Sequence, residues 1–319
     1  MKPARATARL AAALAYLPAA AWPHAFGERY DLPAPLAYFV AGAAATVGLS
    51  FVVAACATRG TARVPVSSGL IVAPGPLLPV LHGAGRALAV VLLALVVIAG
   101  LYGDPHPAKN LAPTLVWIIW WSGLSLVVAC VGNVWPALDP WRAIFAAADA
   151  LARRCGAANG IARGCNYPAA LGAWPAVMLL LAFAWMEVIY LQSSVPSSIA
   201  WLAIAWSVLT LTGMACFGRE VWQRNCDVFA LYFATLGRFA PLGAGADAHS
   251  LVLRPPGRGL IAAGAVPAAM VAFVLAMLST VLFDGLLGTQ LWRLVSRAAA
   301  AWAPRLADRE GYVDRKSVV

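Results

Sequence analysis

A small set of imidazole and carboxylate groups is the part of this sequence with the greatest capacity for chemistry. The set is His24, Glu28, Asp31, Asp104, His106, Glu187 and Asp284. Imidazole nitrogens and carboxylate oxygens suit Zn, Mn or Fe as ligands. A metal ion held by such groups would lower the pKa of its bound water to about 7 and make hydroxide available for hydrolysis.

Two of these carboxylates stand inside apolar segments, where an ionisable side chain is costly. Glu187 lies near the end of one apolar run, and Asp284 lies near the end of another. We expect Asp31 and Asp104 to orient the water or accept a proton from it. The predicted metal ligands are His24, His106, Glu187 and Asp284.

Ordinary structural roles account for the same residues. Polar side chains belong in aqueous loops, and Asp104-Pro-His-Pro makes a rigid turn. Asp31 precedes an apolar run and suits a helix cap, and Glu187 is close enough to a helix end to extend into the interface. No HExxH motif is present, so the site requires that all of these residues share one side of a membrane.

The amino-acid composition indicates a membrane protein. The 319 residues are 62% hydrophobic and only 11% charged, whereas a soluble domain has about 25% charged residues. This excludes disordered chains and ordinary soluble domains. The net charge of +10 suggests nucleic-acid binding, but the basic residues fall between apolar runs, as the positive-inside rule describes. We therefore predict a lipid bilayer as the partner, and no nucleic acid.

Six apolar runs approach or reach the roughly 20 residues that a membrane-spanning helix needs. The fold class predicted is all-α, a polytopic bundle of at least six spans. Of the Lys and Arg residues before the tail, fifteen fall on the side predicted as cytoplasmic and two on the other side. This distribution fits a bacterial inner membrane with the basic loops inside. The runs are residues 36–57, 87–103, 113–132, 168–191, 199–218 and 260–287.

The two ends of the chain are predicted to differ from this transmembrane domain, residues 23–292. Residues 1–22 have the charged start, apolar middle and small-residue end of a signal peptide, with an uncleaved anchor as the alternative. The tail, residues 293–319, is basic where the topology predicts the outer side. Its last six residues resemble a reading frame of a sequencing adapter, which predicts that the natural chain is longer.

Two predicted cytoplasmic links resemble each other. Each contains Gly, Trp, Asp and Phe at similar offsets, with Asp139 in the first link and Asp227 in the second. Asp139-Pro140 is a good helix start, because the carboxylate caps free N–H groups and proline suits the first helical position. We predict two amphipathic helices at the inner interface, with Asp139 as a cap and Asp227 beside the Glu220–Arg224 pair on one helix face. Alternatively, both aspartates are site residues. Residues 64–86, rich in proline and glycine, are predicted to be irregular.

Three segments carry a resemblance to a family: residues 24–33, Leu138-Asp-Pro-Trp-Arg-Ala-Ile-Phe145, and Ser279-Thr-Val-Leu-Phe-Asp284-Gly285. Over about residues 24–292 the chain resembles bacterial integral-membrane proteins labelled fenitrothion hydrolase. The resemblance implies hydrolysis of an organophosphorus triester to a phenol and a dialkyl thiophosphate. It also implies a longer chain than this one.

We therefore predict a membrane hydrolase that uses a metal-activated water on the outer face and an apolar substrate that enters from the lipid. The alternatives are a transporter or channel in which Glu187 and Asp284 relay a proton or cation, and a non-catalytic membrane subunit.

Overall fold

The computed structural model describes residues 41, 44–45, 48–49, 51–52, 70–72, 77–158, 160–244, 251–261, 266–287, 289, 291–292 and 294–295. The chain forms two compact units, of which one is Ala62–Val281 and the other joins Met1–Thr61 with Leu282–Val319. Residues 1–22, His24, Glu28 and Asp31 lie outside the described residues. The fold and the site described below belong to Ala62–Val281.

Helices make up most of the described chain. Three short strands accompany the helices, and three single-turn 3-10 helices lie in the connections. In chain order the elements are β1 Leu70–Val72, α1 Leu77–Tyr102, α2 Leu111–Cys130, α3 Trp135–Leu138, α4 Pro140–Arg154, α5 Trp174–Val188, α6 Pro196–Phe217, α7 Arg219–Asn225, α8 Val228–Leu236, β2 Leu242–Ala244, β3 Leu251–Leu253 and α9 Ala268–Leu287.

Four helices among the described residues are long and apolar enough to cross a membrane, namely α1 from Pro79 onward, α2, α6 and α9. They overlap the second, third, fifth and sixth predicted spans, so the mostly helical prediction is confirmed, and the four apolar helices suggest a membrane protein. The fourth predicted span, 168–191, contains α5, which has only 15 helical residues and is shorter than a usual span. The first, 36–57, falls largely outside the described residues.

The prediction of an irregular segment at 64–86 was wrong over its second half. The helix α1 begins at Leu77, and β1 precedes it. Gly85 faces the backbone of α3 so closely that an added Cβ would lie 2.7 Å from the carbonyl oxygen of Ala137. Glycine there favours close helix packing, and this tertiary contact outweighs the low helix propensity of the segment. The strands form an antiparallel sheet in the order β1-β3-β2, a small addition to the all-α prediction.

The middle of α2, Thr114–Gly123, is a π-helix. Its N–H groups bond to carbonyls five residues back, which widens the turn and is frequent at functional sites. Trp117, Trp120 and Trp121 of this segment pack against the core. Trp120 and Trp121 surround Phe229 of α8 together with Phe183 of α5, and Trp120 lies edge to face with Phe229 at 4.6 Å. The centre of the bundle is thus an aromatic cluster built around α8.

The second link differs from the single helix that its spacing predicts. The chain breaks at Cys226 and Asp227 into α7 and α8. Trp222 of α7 packs onto Gly213 of α6, where any added side chain would overlap the indole ring. The helix α8 packs between α5 and the C-terminal part of α2, Leu124–Cys130, and Phe233 is fully buried. It is therefore part of the bundle core.

Candidate functional site: an apolar cavity above a buried carboxylate pair

The bundle has two ends that are defined by hydrogen bonds and close contacts. The loop after α1 and the loop after α5 lie together, because Trp117 Nε1 donates to the carbonyl oxygen of Ser193 at 2.9 Å and Gly100 lies against Pro196. We name this the His106 end. The opposite end, where α2 and α6 finish and α4 and α8 begin, we name the Asp139 end.

At the His106 end, a turn holds two of the predicted site residues. Asp104 Oδ1 accepts from the backbone N–H of His106 at 2.8 Å, and both side chains are exposed. The buried Asn110 fixes the turn, since its amide donates to the carbonyl oxygens of Ala99 and Asp104, each at 2.7 Å. This geometry matches the rigid turn that the sequence allowed as an alternative.

Glu187 lies near the same end, where the half-buried side chain faces the bundle. It is within electrostatic range of Tyr232 on α8, whose hydroxyl is hydrogen-bonded to Ser125 of α2. Asp284 lies on α9, but its side chain is outside the described part. Among the residues that the structure describes, no three His, Cys, Asp or Glu side chains are grouped so as to hold a metal ion. The predicted metal site therefore stays a prediction that also depends on His24 and Asp284.

Between the two ends lies a half-open cavity of about 450 Å³, lined mainly by α1, α2, α5 and α6. Its walls are aliphatic and aromatic, and its lining residues include no ionisable side chain. Met186 lines the cavity toward the His106 end, next in sequence to Glu187. Leu138, Pro140 and Phe229 line it toward the Asp139 end. The cavity thus runs from the neighbourhood of one carboxylate to the neighbourhood of two others.

The first of these two carboxylates, Asp139, caps α4 and is fully buried. One oxygen, Oδ1, accepts from the backbone N–H of Arg142 at 3.0 Å. The other, Oδ2, accepts from Gln223 Nε2 at 2.6 Å. The predicted cap is confirmed, and both oxygens have donors.

The second carboxylate, Asp227, caps α8 and is 1% exposed. Its Oδ1 accepts from the N–H groups of Phe229 at 3.0 Å and Ala230 at 3.1 Å. Its Oδ2 is buried and has no hydrogen-bond partner among the described residues. A buried acceptor without a donor is destabilising by about 1–3 kcal/mol. Protonation reduces this cost by removing the negative charge from the buried carboxylate.

The electrostatics agree with a bound proton. Burial raises the pKa of Asp227 to about 7, and the nearby charge of Asp139 adds to the effect. Burial also raises the pKa of Asp139, against the opposing effects of the Arg142 N–H and guanidinium. Two carboxylates that feel each other in a dry site do not both ionise easily, because their charges repel. At neutral pH the pair therefore holds a proton part of the time.

A polar chain connects this pair to the protein surface. Arg142 Nη1 donates to Gln223 Oε1 at 3.4 Å, and Arg142 Nη2 lies 3.8 Å from the exposed Glu220, whose second partner is Arg219 at 2.8 Å. The pair thus borders water-accessible charges on one side and the apolar cavity on the other. Such a position can exchange protons with one compartment and act on a ligand in the cavity.

The sequence identified Asp139 as a cap but placed Asp227 within a single helix, and it did not predict that the two aspartates lie near each other. Their shared context, an Asp that follows a conspicuous Gly and Trp, was the available signal. Comparison with family models, with curated proteins and with solved structures found no match for this chain. Its function is therefore argued from the cavity and the groups that border it.

Proposed function

We propose that this chain is a membrane transport protein that binds an apolar, lipid-soluble small molecule in the cavity between α1, α2, α5 and α6. The observation that carries the proposal is the cavity itself, at about 450 Å³ and with an apolar lining. This volume falls in the range of about 300–1,000 Å³ usual for small-molecule sites. The walls favour an aromatic or aliphatic ligand, and the absence of ionisable groups among the lining residues favours binding over reaction inside the cavity.

The position of the carboxylates supports transport. Glu187 stands near one end of the cavity and the Asp139–Asp227 pair near the other, and intramembrane carboxylates commonly serve proton relays in transporters. Helices interrupted inside the bundle, such as α7 and α8, are a frequent feature of transporter binding sites. By the positive-inside rule, we propose that the Asp139 end faces the cytoplasm and the His106 end the opposite side of a bacterial inner membrane.

Binding can be tested with N-phenyl-1-naphthylamine, an apolar fluorescent probe, on the purified full chain in detergent. We expect saturable binding, and about tenfold weaker binding in Ala203→Phe, because the added ring occupies the cavity. The matched control is Val208→Phe on the same helix, where Val208 is 61% exposed and lies outside the cavity lining. Equal affinity in both variants would overturn the proposal.

Transport itself is measured in proteoliposomes. An imposed proton gradient should drive accumulation of the probe in vesicles that contain the wild-type chain and not in vesicles that contain Ala203→Phe. Saturable binding without gradient-driven accumulation would leave a binding protein and reject transport.

A second candidate function is hydrolysis of an apolar phosphotriester at the His106 end. The observation that favours it is the position of Asp104 and His106 at the same end as Glu187, with Met186 linking that end to the cavity. The predicted Zn, Mn or Fe ion requires further ligands beyond those that the described part groups together, and His24 and Asp284 are the predicted sources.

Hydrolysis is tested with an aryl dialkyl thiophosphate by following release of the phenol, and bound metal is measured by mass spectrometry on the purified protein. We expect a stoichiometric metal ion and loss of phenol release in His106→Ala. Phenol release from a metal-free preparation would reject the metal, and no release from a metal-loaded preparation would reject the hydrolase.

A further inference from the structure

We propose that Asp139 and Asp227 hold one proton between them at the Asp139 end of the cavity. Release of this proton loosens the cavity around its ligand. The first half concerns a proton-binding site and stands independently of ligand chemistry. The second half rests on the proposed function and extends it by naming the group that couples a proton to the cavity.

Geometry carries the first half. Two carboxylates are buried side by side at the starts of α4 and α8, with 0% and 1% exposure. Three of their four oxygens accept hydrogen bonds from named donors. The fourth, Asp227 Oδ2, is buried and has no partner in the described part of the chain. A proton on that oxygen removes a buried charge that lacks a donor and leaves the pair with one negative charge.

The groups that surround the pair favour one proton. Arg142 of α4 faces Asp139 and compensates a single negative charge. Arg142 in turn feels Arg86 of α1 and both Arg219 and Glu220 of α7. On the Asp227 side the neighbouring titratable group is the thiol of Cys226, which is hydrogen-bonded to the Tyr167 hydroxyl at 3.6 Å. The cations therefore lie on the Asp139 side, and Asp227 is the member that takes the proton.

The aromatic residues two positions after each aspartate connect the pair to the cavity. Trp141 and Phe229 stack against each other, with ring centroids 5.9 Å apart and planes 17° apart. Both rings line the cavity. When Asp227 gives its proton to solvent water, the pair carries two negative charges. Their repulsion pushes the starts of α4 and α8 apart and opens this stack.

The proton is detected directly by difference infrared spectroscopy, through the carbonyl stretch of a protonated carboxylic acid. We expect a band in the wild-type chain that disappears with a midpoint near pH 7, as the pKa of Asp227 predicts. Asp227→Asn should abolish the band. Asp139→Asn should retain it but shift its loss to lower pH, because the repelling charge is gone. A wild-type chain without this band, or a band unchanged in Asp227→Asn, overturns the proton site.

The coupling is measured by probe affinity as a function of pH, from about pH 5 to about pH 9. We expect binding of N-phenyl-1-naphthylamine to weaken roughly tenfold as the wild-type pair loses its proton. Asp227→Asn, which is neutral at every pH, should keep the high affinity throughout. The control is Asp149→Asn, an acid on α4 that is paired with Arg153 at 3.0 Å and lies away from the pair; its pH profile should match the wild type.

The two measurements separate the possible failures. An infrared titration without any probe binding rejects the proposed ligand and leaves the proton site standing. Probe binding that is independent of pH, together with an infrared titration, rejects the coupling alone. If Na⁺ at fixed pH removes the infrared band, the pair binds a cation in competition with the proton and the one-proton proposal is wrong.

Discussion

The two links that begin α4 and α8 use the same local device in two different ways. Each starts with a buried aspartate that caps the helix and an aromatic residue two positions later, Trp141 or Phe229. In the first link both carboxylate oxygens have donors, and the helix exposes Arg153 and Arg154 on one side. In the second, one oxygen has no described partner, and the helix is apolar throughout.

The difference shows that the same capping motif can stabilise one helix and make the other helix sensitive to pH. Gln223 of α7 reaches the first aspartate and satisfies it, whereas the second aspartate has only backbone donors. A fully satisfied cap stabilises its helix over a wide pH range. A cap with a buried, unpaired oxygen is stable only while it is protonated, so it responds to pH. Mutations in the two links should therefore have unequal effects.

The largest expected effect is that of Phe229→Ala. Phe229 is 3% exposed and contacts rings from five other helices, so its removal leaves a cavity in the aromatic core. We expect a loss of about 3–5 kcal/mol in the free energy of unfolding, measured by thermal or denaturant unfolding in detergent. The comparison fails if Leu231→Ala, a partly buried position on the same helix, costs as much.

The next effect distinguishes the two caps. Asp139→Ala should cost about 2–3 kcal/mol, because it removes the cap and also leaves the Gln223 amide without its acceptor. Asp227→Ala should cost less at about pH 8, since it removes a cap together with an unfavourable buried charge. Unfolding of both variants at one pH measures the difference, and equal losses would show that the caps are equivalent.

A smaller effect is the pH dependence of stability. The pKa of Asp227 is raised in the folded chain to about 7 from the ordinary 3.8. The folded state therefore holds a proton that the unfolded state has already lost, and the stability from this group falls as pH rises between those values. Asp227→Asn should flatten this part of the profile and stabilise the chain above neutral pH. A profile that still declines over the same interval in the variant assigns the dependence to another group.

The smallest effect concerns Trp141. Its Nε1 donates to Ser207 Oγ of α6 at 2.8 Å, and Trp141→Phe keeps an aromatic ring while removing that bond. We expect a loss of about 1 kcal/mol, seen as a modest shift in the thermal unfolding midpoint. Ser207→Ala is the matched variant and should show a similar loss. A double variant that costs the sum of both would mean that the two groups do not act through this bond.

Local signals in the sequence predicted local features of the structure. Four of the apolar runs are long helices, because hydropathy and length suffice to recognise a span. Asp139 before Pro140 predicted a capped helix start, and the structure has one at that residue. The Asp104-Pro-His-Pro turn also agrees with its sequence, since aspartate and proline determine their own neighbourhood.

Features that depend on distant contacts were not predicted. The early start of α1 depends on the contact of Gly85 with α3, and the break at Asp227 depends on a bundle interior able to enclose α8. The meeting of Asp139 with Asp227 joins residues far apart in the chain, and caps carry no signal for their partners. The number of polar residues in the sequence pointed to the His106 end, whereas the buried pair of carboxylates lies at the Asp139 end.

The length and surroundings of α8 have a consequence for biosynthesis. With nine residues the helix is about 13 Å long, too short to enter a bilayer as an independent span. It packs against α2, α3, α5 and α7, and its side chains Val228, Phe229 and Phe233 are buried. We therefore expect α8 to pack into the bundle after those neighbours have left the translocon and assembled. The centre of the bundle then forms after the helices that surround it.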